Sequence, residues 1–112
     1  MRKYQFFSLA DILEQVRMEQ LASDDFCLYG RDEGDLTLDS LYLISDYPDL
    51  VDDKDVYPVE VVERNLNLVY YGEQLIDVLI VALEEKPDAS LQDLVDALNY
   101  YNRNDTFMPF AW

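Results

Sequence analysis

Five aspartates and a single lysine fall within residues 45–58, SDYPDLVDDKDVYP. Carboxylates packed this closely suggest first a metal site. A calcium loop needs acids or amides at alternating positions, an obligatory glycine and a bidentate glutamate at the twelfth place. Counted from Asp53, the odd positions read Asp53, Asp55 and Tyr57, and no glycine follows. The pattern fails, and no metal ligands are expected. Paired carboxylates can also do the acid/base work of glycoside hydrolysis. Among 24 acids any such pair can be found, so the pairing carries no signal. The chain has no histidine, which removes Ser-His and Cys-His nucleophiles, and with three glycines it has no phosphate-cradling loop. Cys27 sits in an apolar run and reads as a buried, inert thiol. No catalytic or cofactor-binding residue is expected, and the sequence reads as that of a binder.

What would it bind? The formal charge of −16 comes from 24 acids against 8 bases. Such a surface repels nucleic-acid phosphates and anionic membranes, so neither is expected as a partner. A basic protein is the attractive partner; the plain alternative is acidity that only maintains solubility. Nine tyrosines add amphipathic contact area. Tyr47 and Tyr57 flank the aspartates, whereas Tyr70 or Tyr71 is explained by strand packing. The partner-binding set is therefore expected to be Asp46, Tyr47, Asp49, Asp52, Asp53, Asp55 and Tyr57, carried on an exposed loop made partly rigid by Pro48 and Pro58.

The elements around this stretch follow from hydrophobic period and punctuation. Half of the 112 residues are apolar, enough for one globular domain and one modest core. The longest apolar run, Val78 to Leu83, is far too short for a membrane span, and the basic start MRKYQFF is interrupted at once by Ser8, Asp11 and Glu14. A cytoplasmic location is expected. FFSLADILEQVRMEQLAS reads as a helix capped by Ser8, with Asp11 at N3, Phe7 stapled onto Ile12, and Leu9, Ile12, Leu13 and Val16 as its stripe. DFCLYG and DSLYLIS read as strands joined across RDEGD, with Leu41 and Leu43 on one face and Tyr42 and Ile44 on the other. Large apolar groups on both faces imply a sheet at least partly covered twice. Pro58 opens a short helix, PVEVVERN, as its N1 residue, and LNLVYYG is a third strand. EQLIDVLIVALEEKP has the β-branched content of a buried strand, but its length, the Glu84-Glu85-Lys86 exit and the Pro87 stop favour a central helix. DASLQDLVDALNYYNRN is the cleanest helix, capped by Ser90 with Asp93 at N3, and Asn104 is placed to end it left-handed. The apolar tail DTFMPFAW is expected to fold back on the core, the alternative being a contact surface for another molecule. The fold class is α+β, a small sheet of about three strands with about four helices, in the order α-β-β-α-β-α-α over residues 1–112.

Several of these segments match a pattern of small acidic bacterial domains. The pattern combines a Leu-Tyr strand (Leu28-Tyr29), a TLD turn (Thr37-Leu38-Asp39), an Asp-rich stretch (Asp46 to Asp55), a P-x-A-S-L-x-D-L helix (Pro87 to Leu94) and a YYxxND-x-F end (Tyr100 to Phe107). The match spans about residues 26–107, and Tyr47 stands where the pattern has proline. Proteins of this kind resemble immunity proteins of bacterial toxin systems, including contact-dependent growth inhibition. The resemblance implies a cytoplasmic inhibitor that neutralises one cognate toxin domain, often a basic nuclease, whose phosphate groove an acidic partner would fill. The alternative is a DNA mimic that inhibits a DNA-binding or restriction enzyme, and a hydrolase using an acidic pair is a third reading. A mimic should space its acids along an elongated surface, and clustering in one region favours the first reading.

Overall fold

A computed structural model describes residues 4–18, 25–31 and 34–109. Four strands form one antiparallel sheet in the order β1 (Gln5–Ser8), β3 (Leu41–Ser45), β2 (Cys27–Gly30), β6 (Asn67–Tyr71). A second, two-stranded sheet pairs β4 (Asp49–Val51) with β5 (Lys54–Val56). The helices are α1 (Leu9–Arg17), α2 (Val59–Glu63), α3 (Gly72–Glu85) and α4 (Leu91–Asn104). The α+β class stands, but the expected strand count and order do not. β1 pairs with β3 ahead of the first helix, and the acidic stretch is a hairpin, not a loop. The far end of the expected first helix, residues 19–23, lies outside the described residues.

The strand period of two determines which side chains meet which layer. Leu28, Tyr42, Ile44 and Tyr70 face α1, α3 and α4, where Leu9, Ile12, Leu75, Leu79, Leu94 and Leu98 complete the main core. Cys27, Tyr29 and Leu43 face the other way, and Val61 of α2 and Leu66 close over them with Phe6, Tyr47, Tyr57 and Leu68. The sheet is thus covered on both faces, and the buried Cys27 is part of the second core. One irregularity matters for the site. The β2–β6 register shifts between Leu28 and Tyr29, so that Val69 is an extra residue in β6. Such a bulge resets the alternation locally. Val69 and Tyr70 both pack on the helical side, while Tyr71 lies opposite Cys27.

Capping residues define the helix ends. The Ser8 hydroxyl accepts a hydrogen bond from the Asp11 amide at 3.2 Å, so the last residue of β1 is also the cap of α1. Ser90 and Asp93 form a reciprocal capping box, with bonds of 3.1 and 3.0 Å, and Lys86 pairs with Asp93 at 3.0 Å. Pro58 is the N-cap of α2, one position earlier than N1, and Asp105, not Asn104, takes the left-handed conformation at the end of α4 (φ 54°). The loop before β3 is fixed from a distance. Buried Asn99 of α4 accepts from the Leu36 amide at 2.7 Å and donates to the Leu36 carbonyl at 3.0 Å, while Arg103 pairs with Asp35. Of the apolar tail, Phe107 lies against the Tyr101 ring, with centroids 5.3 Å apart, and Met108 packs on the main core. Residues 110–112 lie outside the described residues.

Candidate acidic interface and aromatic cleft

The hairpin arises from a sequence in which aspartate supplies the turn. Asp52 and Asp53 both have positive φ, 52° and 62°, the backbone signature of the two-residue hairpin turn that matches strand twist. Aspartate tolerates this left-handed region better than most residues, which is why Asp-Asp can stand where Asn-Gly is usual. The register pairs Asp49 with Val56, Leu50 with Asp55 and Val51 with Lys54. Every residue of both strands is exposed, and the two strands contact chiefly each other. Leu50 is 70% exposed, and Val51, Val56, Val59 and Val62 are also exposed, so the aspartates border apolar surface.

The expected partner-binding residues divide between this hairpin and its base. Asp49, Asp52, Asp53 and Asp55 are exposed on the hairpin. Asp46 lies at the base: its carboxylate accepts from the Tyr4 hydroxyl and its carbonyl from the Tyr29 hydroxyl, both at 2.6 Å. Tyr47 and Tyr57 are half-buried braces. The Tyr47 hydroxyl accepts from the Glu73 amide at 3.0 Å, and its ring stacks on Tyr71 with centroids 5.7 Å apart and planes 19° apart. Tyr57 meets the buried Tyr29 ring edge-on at 6.2 Å and 88°. These contacts fix the direction in which the hairpin leaves the domain. The Tyr29 hydroxyl titrates well above the ordinary phenol range because burial penalises the phenolate, and Cys27, Tyr57 and Tyr71 add to the effect. Tyr71 is also raised, first by burial and then by the Asp55 carboxylate, which puts the hairpin's charge beside the stacked pair.

A cleft of about 410 Å³ opens next to that pair. Its lining includes the Tyr47–Tyr71 and Tyr101–Phe107 ring pairs together with Glu73, Gln74, Asp77 and Val78 of α3. Glu73 and Asp77 are four residues apart and so project from one helix face. Among the described residues no lysine or arginine pairs with either. The cleft is not legible in the sequence. Its only local signal was the i, i+4 acid spacing, because the aromatic walls come from positions 47, 71, 101 and 107. Among the described residues no group of three or more acids or thiols is arranged to hold a metal ion, and no helix is long and apolar enough to cross a membrane.

Fold and site together describe an acidic α+β domain with an exposed carboxylate-bearing hairpin and an aromatic-lined cleft that share Tyr47 at their junction. Residues 6–110 match the family described as a domain of unknown function, DUF7716, and the chain belongs to that family. No curated protein and no solved structure is found to match it.

Proposed function

We propose that this protein is a binding protein of the immunity type, which docks its acidic hairpin on a basic toxin domain, a nuclease, and blocks it. The observation that carries the reading is the hairpin itself: four aspartates against one lysine, all exposed, bordering exposed Leu50, Val51 and Val56. Long-range attraction from the carboxylates would speed association, and the apolar side chains would supply contact area once docked. The tyrosine braces support it further, because a preorganised hairpin loses less conformational entropy on binding than a free loop. Catalysis is not part of the reading: no histidine is present, and the hairpin acids are exposed rather than set in a pocket.

The test is protection from growth arrest. Cells expressing the C-terminal domain encoded immediately upstream of this chain should grow only when the chain is co-expressed. Replacing Asp49, Asp52, Asp53 and Asp55 by Asn should slow association with that domain and flatten its salt dependence, with smaller changes in dissociation. An upstream product that does not arrest growth, or a quadruple variant that associates like the parent at every salt concentration, would overturn the reading.

A further inference from the structure

The cleft lined by the two aromatic pairs carries a second binding chemistry, separate from the hairpin aspartates. Its volume of about 410 Å³ is at the low end for ligand pockets, the size for one side chain rather than a cofactor. The rings of Tyr47, Tyr71, Tyr101 and Phe107 are held in two close pairs and offer π faces and edges. The same lining carries Glu73 and Asp77, like charges at i, i+4 that repel each other and have no cation among the described residues to offset them. Aromatic rings and two exposed carboxylates lining one cleft match a delocalised cation. A planar guanidinium stacks on a ring face and presents several N–H donors in a fork that fits carboxylates, whereas an ammonium offers a more strongly hydrated point charge.

We propose that this cleft receives an arginine side chain from the surface of a basic protein partner, with the guanidinium between the ring pairs and its N–H groups donating to Glu73 and Asp77. The proposal goes beyond the toxin-blocking reading, since neither carboxylate belongs to the hairpin. Acetyl-arginine amide titrated into ¹⁵N-labelled protein should shift the amide resonances of Glu73, Gln74 and Asp77 along a saturable curve. Acetyl-lysine amide should bind several-fold more weakly, and the uncharged citrulline analogue should leave these resonances in place. The double variant E73Q/D77N keeps the shape of both side chains and should weaken arginine binding about ten-fold or more, from the loss of charge-assisted hydrogen bonds. D52N/D53N should bind it like the parent, which separates this site from the hairpin. Equal shifts from arginine and lysine, shifts confined to the hairpin, or undiminished binding by E73Q/D77N would each overturn the cleft assignment while leaving the hairpin reading to its own test.

Discussion

Asn99 holds the loop before β3 through two hydrogen bonds to Leu36, and its removal has a calculable effect. In Asn99→Ala the Leu36 amide and carbonyl lose the partners that now lie at 2.7 and 3.0 Å. Both groups belong to a residue only 3% exposed, so solvent does not simply replace the amide. An unsatisfied buried polar group costs about 1–3 kcal/mol, and a water entering the vacated space recovers part of that. The expected loss is roughly 2–4 kcal/mol, a large share of the ~5–15 kcal/mol that holds a small domain together. Urea unfolding followed by far-UV circular dichroism should show a lower midpoint with an unchanged slope. Asn99→Asp sharpens the test. Its ionised carboxyl still accepts from the Leu36 amide but faces the Leu36 carbonyl with a second acceptor, so at neutral pH it should also destabilise. Protonation restores a donor, which raises the folded-state pKa of the new carboxyl above its unfolded value of about 4. Stability relative to the parent should therefore recover as pH falls through that raised value and be lost again as pH rises. A loss below about 1 kcal/mol in Asn99→Ala, or an Asn99→Asp deficit that does not change with pH, would refute the account of the clamp.

Three further outcomes follow from features elsewhere in the fold. A methyl group added at Gly30 would lie 2.9 Å from the Tyr42 ring and 3.3 Å from Val69, so Gly30→Ala should destabilise by about 1–3 kcal/mol in the same unfolding assay. The Tyr29 and Tyr70 hydroxyls, raised mainly by burial, donate to the Asp46 and Leu98 carbonyls and need their protons. Their contribution is complete below the unfolded phenol value of about 10 and is lost as pH rises above it, so stability should fall there and fall less in Tyr29→Phe and Tyr70→Phe. Changing the Asp52-Asp53 turn to Asn-Gly suits both positive φ values, and amide exchange at Val51 and Lys54 should slow by roughly two- to five-fold while the global midpoint hardly moves.

Much of the fold was legible because its signals are local. LYLIS alternates, and its two faces point as the alternation requires. Ser8 and Ser90 announce their helices by the side-chain chemistry that caps them. The strand β1 was not legible. QFFS is four residues long and runs directly into the α1 cap, so Phe7 looked like a helix staple although it lies beside Tyr42 across the sheet. The hairpin was obscured by its own aspartates, which are poor strand formers and made an unusual turn dipeptide. Carboxylate exposure could be read from composition, but the bracing of Tyr47 and Tyr57 could not. It depends on Tyr71 and Tyr29, more than twenty residues away in each case, and on the Val69 bulge that resets the face of β6. The cleft needed the whole tertiary arrangement.

Tyr47 belongs to two structures at once. It is the second residue after β3, on the way to the hairpin's first strand, and it also lines the cleft, held by the Glu73 amide and the Tyr71 ring. Only Pro48, whose φ is fixed by its ring, separates this cleft wall from β4. Thermodynamic reciprocity then applies: whatever occupancy of the hairpin changes in the cleft's affinity, occupancy of the cleft changes by the same factor at the hairpin. Tyr47→Phe removes the hydroxyl that accepts from the Glu73 amide and keeps the ring that stacks on Tyr71, so it should weaken the link while leaving both surfaces present.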